Sequence, residues 1–355
     1  VHRVTIVNQP AVILTGRETI LAAALDAGIP YPHDCRTGTC GTCKSRLLQG
    51  RVDMLPHAPE ALDDTEAAAG LILACRARAR SDATVKWLGE ADDDLPPVRT
   101  LKARAYDVRQ VAPKVTRLRL QPEGQPLFFA AGQYADLSFG RQPPRAFSMA
   151  NLPSDPVLEF HIRHLDGVAS GHVAKKLKIG DLVRVKGPYG NGYLRADPPG
   201  EERPLVAIAG GVGLAPIRSI VLTALARDSQ APIHLYWGAR DEPDLYAGAA
   251  LQALDRQHEH FRFVPVLSAP RGPTRRRTGL VHEAVAKDLA RLDGHIVHIA
   301  GPPAMVERAR ALALERGAEP GAIHSDPFLP PAREAENGLL RVVFALRAGL
   351  RRRVG

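Results

Sequence analysis

The sequence predicts a multidomain chain of α+β and α/β class, in which a small mixed module precedes an antiparallel β-barrel and then a doubly wound parallel sheet. Three observations carry this expectation. All four cysteines, Cys35, Cys40, Cys43 and Cys75, fall in a first segment that also carries a hairpin pattern and one helical stripe. From residue 100 to 186, short strand-like runs are separated by Gly and Pro turns, the punctuation of an all-β unit. From Pro204 onward, apolar runs alternate with helical stretches, the order of a parallel sheet with crossover helices. A length of 355 residues suits two or three such units, because single cores stop growing well before it.

In the first unit, residues 4–7 and 12–15 read as a hairpin. Thr15 and Glu18 form a capping-box pattern before the stripe Ile20, Leu21, Ala24 and Leu25. Further strands fit residues 44–48, 71–74 and 84–88.

The thiols read C-x4-C-x2-C, with 31 residues before the fourth cysteine. That spacing matches the plant-type [2Fe-2S] pattern, in which one loop wraps the inorganic core and a distant strand supplies the last thiolate. Structural zinc, which favours two separated C-x2-C knuckles, is the alternative. A disulfide framework fits small secreted domains better than a chain of this size. Gly38 and Gly41 lack the Cβ that would obstruct the approach of backbone amides to sulfur. No C-x-H occurs, which sets the Rieske pattern aside, and His33 reads as a polar neighbour of a complete four-thiol set. The segment YPHDCRTGTCGTCKSRLLQGRV resembles the plant-type ferredoxins, and residues 1–91 would then form a β-grasp domain with Cys35, Cys40, Cys43 and Cys75 as cluster ligands.

Residues 92–98, acidic and proline-bearing, read as a linker. Beyond it, strands are expected at 100–108, 116–120, 133–139, 146–149, 158–164 and 182–186. The run Arg145-Ala146-Phe147-Ser148 resembles the R-x-[Y/F]-S flavin motif of the ferredoxin-NADP reductase superfamily, which implies a Greek-key FAD barrel over residues 99–200. Arg145 would pair with the FAD pyrophosphate, Phe147 would offer a stacking wall without the hydroxyl of the commoner Tyr, and Ser148 would bond near the reactive flavin nitrogen. His161, Ile162 and Arg163, followed by an Asp-Gly turn into Val168, Ala169 and Ser170, resemble the second flavin segment, where amides at a helix start suit a pyrophosphate.

The third unit, expected over residues 201–330, has strand runs at 205–209, 233–237, 261–266 and 296–300, with helices around 217–227, 245–254, 281–290 and 304–316. Its ligand should sit at the carboxyl ends of the strands. Gly210, Gly211, Gly213, Leu214 and Pro216 form a glycine-rich strand-to-helix turn that lets a pyrophosphate approach the backbone. Its G-x-G-x-x-P form is the one this reductase superfamily shows. Trp237, Gly238, Arg240 and Tyr246 at the second strand end, and Gly301, Pro302 and Met305 at the later one, complete the resemblance to a nicotinamide-binding domain. Ala300 stands where many relatives carry Cys. Asp241 and Glu242 place negative charge where a 2′-phosphate would sit, so NADH is expected over NADPH. Phe328, in the closing run His324 to Phe328, would shield the flavin face until nicotinamide displaces it; a plain core role is the alternative.

Taken in order, the units resemble the reductase components that feed Rieske ring-hydroxylating dioxygenases, diiron monooxygenases and some bacterial cytochromes P450. The resemblance implies a relay from NADH through FAD to [2Fe-2S] and on to a terminal oxygenase or its intermediate ferredoxin, with Ser148 and Phe328 at the flavin. Residues 1–95 carry 10 Lys/Arg against 13 Asp/Glu and the remainder 37 against 25, so an acidic module is tethered to a basic body. Attraction between them, or toward a basic oxygenase, is one consequence; a scatter of solvated charge is the other. No aromatic-interleaved basic patch indicates nucleic acid, no apolar run approaches a membrane span, and Val1-His2-Arg3-Val4 shows no secretory h-region. A cytoplasmic chain is expected. Residues 331–355 read as a basic tail, solvated or packed on its own domain, with contact to an anionic membrane as the lesser alternative.

Overall fold

The computed structural model describes residues 1–15, 18–89, 95–165, 168–198, 200–227 and 229–328. The first module contains β1 (His2–Ile6), β2 (Val12–Leu14), α1 (Ile20–Asp26), β3 (Lys44–Gln49), β4 (Val52–Met54), α2 (Asp64–Ala68), β5 (Leu71–Leu73), β6 (Ala77–Ala79) and β7 (Ala83–Trp87). Its main sheet has the order β2-β1-β7-β3-β5, with the antiparallel β1–β2 hairpin at one edge and β4–β6 as a separate pair. Alternation sets the faces: Val4 and Ile6 of β1 are fully buried while Arg3 and Thr5 face out. Helix α1 lays Ile20, Leu21, Ala24 and Leu25 on that core. Its cap corrects the sequence expectation. Thr19, not Thr15, is the N-cap, its hydroxyl accepting from the Ala22 N–H at 3.3 Å, whereas Thr15 and Glu18 bond each other ahead of the helix.

The second module is an antiparallel sheet built from β8 (Arg99–Ala112), β9 (Val115–Pro122), β10 (Tyr134–Phe139), β11 (Arg145–Ser148), β12 (Leu158–Arg163) and β13 (Leu182–Tyr189), with α3 (Val168–Lys175) against it. The order is β11-β10-β13-β8-β9-β12, and a bridge between Met149 and Phe160 links the two edges into a nearly closed barrel. Phe139, Phe160, Leu118 and Ile162 fill the interior.

The third module holds β14 (Leu205–Gly210), α4 (Leu214–Leu225), β15 (Ile233–Ala239), α5 (Gly248–Gln257), β16 (Phe261–Leu267), β17 (Arg277–Thr278), α6 (Val281–Asp288), β18 (Ile296–Gly301), α7 (Pro303–Glu315) and β19 (Ile323–Pro327). All its strands pair in parallel in the order β17-β16-β15-β14-β18-β19, with apolar layers on both faces. The order reverses between β14 and β18, the position at which such sheets open a crevice. Strand β19, read from the sequence only as a closing segment, adds a sixth strand beside β18. Residues 92–94 of the expected linker and the whole of 331–355 lie outside the described residues, as do Asp166 and Gly167. No helix among the described residues is long and apolar enough to cross a membrane.

Candidate functional site: a thiol loop, a barrel edge and a nicotinamide cleft

The cysteine loop lies between α1 and β3, and Cys75 follows β5. The thiols of Cys35 and Cys40 are within hydrogen-bonding reach of each other, as are those of Cys43 and Cys75. Donation by the second sulfur of each pair lowers the pKa of the first, against the opposing effect of burial. Backbone amides add to this: Thr37 and Thr39 N–H both point at Cys35 Sγ from 3.4 Å, and Cys75 N–H at Cys43 Sγ from 3.5 Å. Two pairs suit two irons with two thiolates each. Among the described residues no group of three His, Cys, Asp or Glu side chains is placed to hold a single ion. Gly38 and Gly41 both have left-handed backbones, φ +82° and +76°. A Cβ on Gly38 would lie 2.7 Å from Arg76 Cγ and 2.9 Å from His57 Cβ.

His33 is a polar neighbour, as expected, and is also part of a domain contact. Its ring is buried, bonds the Tyr31 carbonyl at 2.7 Å, and has its pKa pushed down to about 4 chiefly by burial. Next to it, the half-buried Asp34 carboxylate accepts from the Asn191 and Gly192 amides of the barrel at 2.6 and 2.9 Å. Arg36 makes two hydrogen bonds to Asp136 of β10, at 3.0 and 2.5 Å. Tyr134 donates its hydroxyl to the Asp34 carbonyl at 2.6 Å. Ion pairs cross in both directions, since Lys186 of the barrel also meets Asp26. Docking therefore does not follow the bulk acidic-to-basic asymmetry.

Strand β11 is a barrel edge, and it exposes Arg145 and Ala146 while half-burying Phe147. Among the described residues the Arg145 guanidinium has no ion pair or hydrogen bond, which leaves it open to an anionic group. Ser148 is buried and donates to Asp326 Oδ2 at 3.5 Å. Ile162 faces the barrel core, leaving only its backbone for a ligand. The ring of His161 is engaged elsewhere, between Glu159 at 3.1 Å and the Tyr246 hydroxyl at 3.0 Å. Val168 begins α3 with Ala169 and Ser170, and Ser170 Oγ bonds the Leu165 carbonyl.

At the carboxyl ends of β14, β15 and β18, a cleft of about 580 Å³ is lined by Gly210, Gly211, Gly238, Arg240, Tyr246, Pro302 and Met305, with Arg163 closing it from the barrel. The other expected residues shape the cleft without lining it. Gly213 is pressed against the Ala300 carbonyl, where no Cβ fits, and Leu214 and Pro216 are buried in α4. Gly301 has φ +149° and faces Gly210, so that a Cβ on it would come within 3.0 Å of Gly210 backbone. Trp237 is fully buried and donates its indole N–H to the Gly211 carbonyl at 2.9 Å, supporting the turn from below. Phe328 packs half-buried on the same core, its N–H bonded to the Gly301 carbonyl at 2.8 Å. Asp241 and Arg271 line the cleft as an ion pair, so the acid that the sequence places there is locally neutralised.

Residues 6–80 match the 2Fe-2S iron-sulfur cluster binding domain, 107–193 the oxidoreductase FAD-binding domain and 207–311 the oxidoreductase NAD-binding domain. The chain is 36% identical to the reductase component of the naphthalene 1,2-dioxygenase/salicylate 5-hydroxylase systems of a Ralstonia species, over 88% of this chain and 94% of that one. It is 38% identical to the reductase subunit of an Amycolatopsis aromatic O-demethylase, over the same shares. An Amycolatopsis cytochrome P450 reductase of solved structure superposes with a TM-score of 0.82 at 37% identity, covering 93% of this chain and 99% of that one. The chain belongs to the family of oxygenase reductases. Its cofactors are a [2Fe-2S] cluster, FAD and a nicotinamide dinucleotide. In the reductase the three matched ranges fall on the thiol-loop module, the antiparallel barrel and the parallel sheet with the glycine turn.

Two groups of the reductase escaped the sequence reading. Asp326 is half-buried, and desolvation, reinforced by Asp34 and Cys35, raises its carboxyl to about 7 against the pull of Ser148. Glu159 is the other. Burial would raise its pKa, but His161, Arg218 and Arg119 prevail and hold it at about 2. Arg218, from α4, also donates to the Ala150 carbonyl at 2.5 Å, so this cluster fastens the nicotinamide domain to the barrel. Each group belongs to a pairing of residues far apart in sequence, and no local motif marks it.

Proposed function

We propose that the protein is an NADH-dependent reductase that supplies electrons singly to a Rieske aromatic-ring-hydroxylating dioxygenase, or to the ferredoxin serving it, in the cytoplasm. The observation that supports this most is continuity. The thiol loop is bonded through Asp34 and Arg36 to β10, and β10 pairs with the flavin-motif strand β11, which meets the nicotinamide domain at Asp326. FAD, when bound, supplies the change from hydride to single electrons. The chain supplies position: Ser148 at the reactive edge of the flavin, Phe328 beside the Gly301 turn, and the four thiols at the end of the relay.

Asp241, just past β15, lines the cleft as an acid able to accept from ribose hydroxyls beside its Arg271 partner, which supports NADH. The domain division that fits the elements is 1–91, a linker at 92–98, then 99–200 and 201–330. A cytochrome P450 acceptor is the second reading, favoured by the Amycolatopsis P450 reductase likeness. Anaerobic titration of the holoprotein tests the reading. NADH should deliver about three electrons per chain, two to FAD and one to the cluster, and reduce cytochrome c rapidly on turnover. A flavin that neither NADH nor NADPH reduces would leave a carrier or sensor without turnover. Reconstitution with a dioxygenase and with a P450 separates the two acceptors.

A further inference from the structure

Arg36 follows the first cluster cysteine and carries an uncommon left-handed backbone for a side-chain-bearing residue, φ 55°. Its guanidinium reaches across the domain boundary to both carboxylate oxygens of Asp136. It also lies over the Tyr189 ring at 4.3 Å and the neighbouring Tyr134 ring at 5.1 Å, a cation against two adjacent π systems. The pair is largely enclosed, with side-chain exposures of 25% and 15%, whereas the Lys186–Asp26 pair is 37% and 65% exposed and open to screening by salt. Tyr134 fastens the same loop two residues earlier, through the Asp34 carbonyl. On the barrel side, Tyr134 stands directly opposite Ser148 and Asp136 opposite Ala146 in the β10–β11 ladder. The residues that hold the cluster loop and those of the flavin motif are thus cross-strand neighbours.

We propose that Arg36, Asp136 and Tyr134 are positioning residues for the flavin-to-cluster electron step, locking the cluster loop onto the strand beside the flavin motif. This rests on the reductase reading above. The step itself moves one electron: the flavin loses it, one ferric iron becomes ferrous, and no proton or group has to cross the boundary. Tunnelling steps of this kind depend on a fixed separation, which a bidentate, stacked arginine maintains beside the buried Tyr134 and Tyr189 rings at this boundary.

The test uses the holoprotein with Asp136→Asn, Arg36→Met and the conservative Arg36→Lys, each matched to the parent in iron and flavin content. Amide exchange at Asn191 and Gly192, which donate to Asp34, should quicken by about tenfold in the first two variants. In anaerobic stopped flow with NADH, flavin reduction should keep its parent rate. Cluster reduction should slow by about tenfold in Asp136→Asn and Arg36→Met and less in Arg36→Lys, with both midpoint potentials unchanged. Asp136 lies outside the cluster loop, so its variant decides if Arg36→Met loses iron. Parent-like exchange overturns the lock. Parent-like cluster reduction, or a slowing accompanied by a shifted potential, overturns the positioning role. Failure of the parent itself to pass electrons would instead overturn the reductase reading, and the exchange measurement would still test the lock.

Discussion

The hydroxyl of Ser148 donates to Asp326 Oδ2 across 3.5 Å, joining the flavin-motif strand to the last strand of the nicotinamide sheet, 178 positions later. Asp326 titrates near 7 rather than at 3.8. The folded chain therefore retains a proton that the unfolded chain releases, and stability declines as pH rises from about 4 to about 7 and is level above. Through the same range Ser148 changes partner, from a neutral acid to a carboxylate. Asp326→Asn should remove an inflection near pH 7 from the rate of flavin reduction by NADH, followed by stopped flow from pH 6 to 8.

Gly38→Ala forces a left-handed alanine and a contact with Arg76 and His57. It should cost about 1–2 kcal/mol in strain and more in displacement, with loss of cluster absorbance. Gly41→Ala, whose nearest neighbour is the Ala61 carbonyl at 3.5 Å, should show the strain alone. Thermal melts and iron assays on the two variants separate these costs.

Asp241→Ala frees Arg271 beside Arg240 in the cleft, leaving two unpaired cations where an acid stood. The ratio of kcat/KM for NADPH over NADH should rise by about tenfold or more.

Glu159 has a folded pKa of about 2 against 4.5, so its contribution is fully present above pH 4.5 and is lost as pH falls toward 2. Glu159→Gln should lower stability at neutral pH by about 3 kcal/mol, the free-energy equivalent of that shift, and flatten the acid limb of the unfolding profile. Chemical denaturation across pH measures both.

These groups also show where the sequence was legible. The cysteine spacing and the glycine turn are local patterns, and the structure has three thiols on one loop before β3 and the glycine turn between β14 and α4. The strand expected at 133–139 is found as β10, Tyr134–Phe139. The partners of Arg36 and Ser148 were not legible, because each lies 100 or more positions away and such pairing leaves no periodicity. At α1, two Thr residues precede a helix, and only the observed bond to Ala22 tells Thr19 from Thr15. Trp237 at a strand end reads as a cleft residue until its indole is seen beneath the turn.

Tyr134 and Asp136 alternate along β10 with Ala135 and Leu137, which are buried in the barrel. A chimera spliced at the linker would therefore not exchange neutral cassettes. A donor ferredoxin without an arginine after its first cluster cysteine would leave Asp136 half-buried and unpaired, and a recipient barrel shifted by one residue would turn that carboxylate into its own core. Interchange of modules in this chain has its compatibility rule at Arg36 and Asp136, away from the junction where the cut would be made.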